Sequence, residues 1–140
     1  MVASPPTSPN RRVRRLRVAS ASHDDALRVT TSLADALHTA SIPFADRGKL
    51  VVIRRLDLGR ISPHANSISL SLRLESALRE IQAVSFDFPG AENAPAVAFP
   101  DRFSGLIALA RCLANGATTE QWFWEAIVPG WRTAKIEPER

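Results

Sequence analysis

Ser67 to Ala83 reads SISLSLRLESALREIQA, and the choice between strand and helix here decides the fold. Its first nine residues alternate apolar and polar, the pattern of a half-buried strand. Leu70, Leu74, Ala77, Leu78, Ile81 and Val84 also fall on one helical stripe, and the continuation ESALREIQA is rich in helix formers with no breaker. The second pattern extends over more of the segment, so the reading is a helix from about Ser67 to Ala83. It leaves Ile68 and Leu72 off the main stripe and in need of a second contact.

Working outward, the segment upstream, KLVVIRRLDLG (Lys49 to Gly59), reads as a strand. Leu50, Val52, Leu56 and Leu58 share one face while Val51 and Ile53 share the other. Apolar residues on both faces predict a central strand. Before it, Ser22 caps a helix whose acids Asp24 and Asp25 suit the positive end of the helix dipole. Ala26, Val29, Leu33, Leu37 and Ala40 form its apolar stripe, and Pro43 limits it. An earlier strand lies within Val13–Ala19, at an edge or starting near Leu16, because arginines fall on both of its faces.

Downstream, Val84–Phe88 and Ala96–Phe99 are short strands around a Pro/Gly/Asn-rich loop. Pro100-Asp101 opens a helix with Phe103, Leu106, Ile107, Ala110 and Leu113 placed inward, closed by Asn115-Gly116. Thr118 with Gln121 caps a last helix that Pro129-Gly130 stops. The order strand, helix, strand, helix, strand, then two helices predicts an α/β fold. It has a small sheet with at least one parallel pair, crossed over by the first helix. The expected organisation is a disordered Pro/Ser/Thr-rich leader (1–10), a single α/β domain (11–131) and a frayed charged tail (132–140).

Composition narrows the function classes. At 140 residues and 45% hydrophobic content, one modest core is affordable. The longest apolar runs are far short of a membrane span, and MVASPPTSPN has no apolar stretch of a secretory signal. Cys112 is the single cysteine and has no internal disulfide partner, so the default expectation is a cytoplasmic protein with no membrane partner. The net charge of +4 has a local source. Arg11, Arg12, Arg14, Arg15 and Arg17 stand in a stretch without acids, whereas residues 18–140 hold 13 basic and 14 acidic side chains.

A search for chemistry returns little. ASASHDD after the first strand lacks the glycines a dinucleotide needs, and Gly48-Lys49 lacks the upstream glycine and following Ser/Thr of a P-loop. His23, His38 and His64 are far apart and read as surface residues. Cys112 has no histidine placed near it, and no serine stands in a GxSxG context. Asp57 occupies the strand end where α/β enzymes often keep functional side chains, yet it has no partner group. The expectation is therefore a protein without catalysis, cofactor or metal.

Two surfaces remain. QWFWEAIVPGW (Gln121 to Trp131) contains all three tryptophans. On a helix, Trp122, Phe123, Ala126 and Ile127 would face the core, leaving Trp124 and Val128 outward. With Trp131 these form the expected docking surface for a protein partner or for self-association. The alternative is a nucleic-acid-associated protein whose Arg11, Arg12, Arg14, Arg15 and Arg17 neutralise phosphates. No aromatic is interleaved with these arginines, so the arm reads first as a solvated strand edge, where charge blocks unwanted pairing.

Overall fold

A computed structural model describes residues 2–3, 7–8, 11–42 and 49–131 of the chain. The fold is mixed α/β, and the chain divides into two compact units. One comprises Met1–Pro43 and Leu56–Glu80; the other comprises Phe44–Arg55 and Ile81–Arg140. The tail read at 132–140 lies outside the described residues, as does most of the leader read at 1–10.

The first unit is a helix pair with two-residue ladders beside it. Strands β1 (Val2–Ala3) and β4 (Leu16–Arg17) pair antiparallel, as do β2 (Thr7–Ser8) and β3 (Arg11–Arg12). Helix α1 spans His23–Thr39. Ser22 caps it, accepting from the Asp25 backbone N–H at 3.4 Å, and Asp24 and Asp25 occupy its first turn as the sequence indicates. Helix α2 spans Ser67–Arg79, so the disputed segment is helical up to Arg79 and not to Ala83, which belongs to a strand. Its N-terminus is capped: Asn66 accepts from Ser69 N–H at 2.8 Å and so satisfies an otherwise orphan donor. Leu33 and Ala36 of α1 pack with Leu70 of α2, joined by Leu16, Leu58, Ile61 and Ala65. Ser71 is buried at this seam, where its hydroxyl donates to Ala36 O at 3.4 Å and shares a 3.0 Å hydrogen bond with Thr39 Oγ1. Ile68 and Leu72, which the helical reading left off the stripe, are exposed.

The second unit holds a three-stranded sheet of order β5-β7-β6, built from β5 (Leu50–Ile53), β6 (Ala83–Ser85) and β7 (Ala96–Phe99). β5 runs antiparallel to β7, and β6 runs parallel to it with Val84 opposite Val97. Two expectations are corrected here. The parallel pair is β6/β7, linked by residues 86–95, and is not a pair crossed over by α1. Arginines on both faces of the first strand make it unfit for a sheet interior, because a buried charge must be paired. The central strand is β7, with Ala96, Val97 and Phe99 buried, whereas all four β5 residues are half-buried at an edge. β5 is also shorter than KLVVIRRLDLG suggests: after Arg54 N–H donates to Pro95 O, the chain leaves the sheet and Leu58 joins the cluster of α1 and α2.

Helix α3 (Arg102–Ala114) follows β7. Asn115-Gly116 ends it as expected: Gly116 takes φ +67°, Gly116 N–H reaches Leu113 O and Ala117 N–H reaches Cys112 O. Those two bonds close the left-handed helix exit that glycine permits. The last helix is reduced to one turn, α4 (Trp124–Ile127), without a side-chain cap. Thr118 is exposed and caps nothing in the expected sense. The backbone beside it is engaged elsewhere, since Thr119 O accepts from the Trp131 indole at 2.9 Å.

Candidate interaction surface

α3 is apolar nearly all round, and its two sides differ in the size of their residues. Gly105 and Leu109 are buried, and Ala108 and Cys112 are half-buried against the core of their unit. That core is Ala91, Val97, Phe99, Leu109, Phe123, Trp124 and Ile127. Small residues on this side let the helix lie close to the sheet: a Cβ added at Gly105 would stand 2.5 Å from Ile127 Cδ1 and 3.3 Å from Phe99 Cδ1. The large residues point the other way. Phe103 is 70% exposed, Leu113 52%, Leu106 41% and Ile107 39%, and Ala110 is exposed between them. Their spacing of three and four residues makes one continuous stripe about 100° wide or more. This corrects the inward placement of Phe103, Leu106, Ile107, Ala110 and Leu113. The periodicity marks a real face, but depth of approach selects the glycine side for the core.

At the ends of the stripe the helix is held firmly. Asp101 caps α3, accepting from Ser104 N–H at 2.6 Å. The hydrogen bonds from Ser104 hold the Asp101 carboxyl below the usual carboxylate range. Arg102 extends away from the stripe and donates to Ile127 O at 3.3 Å. The stripe itself is uncharged, with exposed Arg111 at its edge beside Ile107, and depletion of charge is characteristic of interface centres.

The tryptophans are placed differently from the expectation. Trp124, expected outward, is 3% exposed; Phe123 is buried beside it, and Trp122, expected inward, is half-buried. The 100° step fails because Trp122 and Phe123 precede the helical turn and do not share its geometry. Phe123 and Trp124 therefore both turn inward, their rings 4.9 Å apart and each 5.9 Å from Phe99. Trp124 Nε1 is satisfied by Gln121 Oε1 at 2.8 Å. Val128 and Trp131, the other expected docking residues, are half-buried against the same core. Trp122 donates from Nε1 to Glu92 O at 3.2 Å, and the Arg54 guanidinium lies 5.9 Å from its ring centroid.

The arginines separate into two roles. Arg11 donates to Leu37 O at 2.6 Å and Ala40 O at 2.7 Å, which satisfies carbonyls at the C-terminal end of α1. Arg12, Arg14, Arg15 and Arg17 are exposed. His23, His38 and His64 are exposed too, and Asp57 accepts from Gly59 N–H at 2.8 Å in a local turn. An open groove of about 450 Å³ lies in the second unit, lined by Phe86, Phe88, Cys112, Phe123 and Trp124, with exposed Asp87 and Arg111. Its lining includes one thiol, Cys112, and two carboxylates, Asp87 and Glu92, but no histidine. Among the described residues, no group of three or more His, Cys, Asp or Glu could hold a metal ion, and no helix is long and apolar enough to cross a membrane.

The sequence reading missed the outward face of α3. The signal that could have found it is Gly105, Ala108 and Cys112, a row of small residues opposite the large ones. No protein-family model, curated protein or solved structure matches the chain.

Proposed function

We propose that this protein acts through protein–protein contact without catalysis, and that the outward face of α3 is its docking surface. One observation carries the reading: Phe103, Leu106, Ile107 and Leu113 are exposed together on a capped 13-residue helix. A helix that is apolar on every side is normally covered on every side. At about 200 Å² for a large side chain in the open, these exposures leave on the order of 400 Å² of apolar surface, the size at which a patch is often functional.

The test is photo-crosslinking in living cells. A benzophenone amino acid at position 107 should give one or a few discrete adducts, and the same group at exposed Ser20 should not. If position 107 yields no discrete adduct, the face is merely solvated and the reading fails.

A second reading has its own support in the exposure of Arg12, Arg15 and Arg17, which places their guanidinium groups within reach of phosphates of a nucleic acid. It ranks lower because Arg11, the first of the run, is used to hold α1.

A further inference from the structure

We infer that the occupant of the α3 face is a second copy of this chain, in an antiparallel two-fold pairing of α3 with α3. The inference rests on the reading of α3 as a docking face and names its partner. A two-fold interface must be self-complementary, because each residue meets the counterpart of its own partner. The α3 stripe meets that condition. Reversing the helix end for end about a point near Ala108 places Phe103 opposite Leu113 of the second copy, and Leu106 opposite Ala110. Ile107 then lies close to its own counterpart beside the axis. Large side chains thus meet the gap above Ala110, which allows helices to approach to about 8–10 Å. A head-to-head arrangement would instead set Phe103 against Phe103 and leave Ala110 facing Ala110, bulk against bulk and gap against gap.

The area fits the same occupant. Two stripes together remove on the order of 800 Å² of apolar surface, and a polar rim including Arg111 brings the total to about the 1,000 Å² at which specific interfaces begin. That is the small end of the range, so the expected association is reversible and in the micromolar regime. The exposed side chains of the stripe do not hold the core of their own unit, so the interface can be altered without dismantling the fold.

The experiment is sedimentation equilibrium on the purified full chain from 1 to several hundred micromolar, with disulfide trapping alongside. The mass should rise from 15.3 kDa towards twice that value with concentration. Ile107→Glu should hold the chain at the lower mass throughout, with an unchanged far-UV spectrum and urea midpoint. Leu106→Ser, a milder change, should weaken association at least tenfold. In a Cys112→Ser background, Ile107→Cys should trap a dimer through its own copy. Phe103→Cys alone should not, because its copies lie about 15 Å apart along the axis, whereas Phe103→Cys combined with Leu113→Cys should. A single 15.3 kDa species at every concentration overturns the inference, as does a dimer indifferent to these changes or one trapped by Phe103→Cys alone. If the chain is monomeric but position 107 is crosslinked in cells to a different protein, this inference fails and the docking reading stands. If position 107 yields no adduct at all, both fail.

Discussion

Gly105 of α3 lies directly against Ile127 of α4, so close that a Cβ on the glycine would meet Ile127 Cδ1 at 2.5 Å and Cγ1 at 3.2 Å. Ile127 is fully buried and has little room to turn aside. Glycine inside a helix normally costs about 1 kcal/mol relative to alanine, so Gly105→Ala in an unconstrained helix would stabilise. Overpacking of a dense core costs roughly 1–3 kcal/mol. The second effect wins here, and Gly105→Ala should lower stability by about 1 kcal/mol. Ile127→Val removes the atom nearest the new methyl, so the double variant should be more stable than the sum of the two single changes. A raised urea midpoint for Gly105→Ala would contradict the close packing.

The two neighbouring tryptophans differ in what their loss should do. Trp124 is buried among Phe99 and Phe123, with its indole N–H satisfied, so Trp124→Ala should cost about 3–5 kcal/mol. Trp122 is half-buried, with Glu92 O and Arg54 beside it, and Trp122→Ala should cost roughly 1–2 kcal/mol. Chemical denaturation followed by far-UV dichroism separates the two. Equal losses, or the larger loss at Trp122, would reverse the assignment of core and margin.

Much of the fold is legible in the sequence where local chemistry decides it. Ser22 with Asp25, Asn115-Gly116 and the stripe through Leu33 and Leu37 fix helix ends and faces without reference to distant residues. The helix over Ser67–Arg79 follows from a stripe longer than the competing alternation. What is not legible depends on pairing at a distance. That β7 is central and β5 an edge is set by which strands find each other, and AVAF is too short to announce it. The surface was misread for a related reason. Periodicity identifies a face on α3 but carries no sign, and helical geometry misplaces Trp124 because Trp122 and Phe123, from which its direction is counted, precede the first turn of α4.

Arg11 and its neighbours should separate by the same kind of measurement. The Arg11 guanidinium holds Leu37 O and Ala40 O, charge-assisted bonds in a partly buried setting. Arg11→Ala should destabilise the unit containing α1 and α2 by about 1–2 kcal/mol. Replacing Arg12, Arg15 and Arg17 together by alanine should move the urea midpoint little, since all three are exposed. If the second reading is correct, that triple variant should instead lose salt-sensitive binding to nucleic acid, seen as fluorescence anisotropy of a labelled duplex. Equal destabilisation by the single and triple variants would remove the distinction drawn between them.

The Asp101 cap makes α3 sensitive to acid. Hydrogen bonds from Ser104 favour the charged carboxylate and lower its pKa in the folded chain, and the positive end of the helix acts in the same direction. A depressed carboxylate contributes stability that is complete above its unfolded value, about 3.9. The contribution is lost as pH falls through the folded value, because the unfolded chain binds the proton first. Asp101→Asn keeps an acceptor for Ser104 N–H but has no charge to titrate. Wild type should therefore be the more stable of the two at pH 6, and the difference should shrink by pH 3 and vanish at lower pH. Urea midpoints at pH 6, 4 and 3 would show it. A difference that stays constant across that range would mean that the cap acts through its acceptor geometry alone and that its charge contributes nothing.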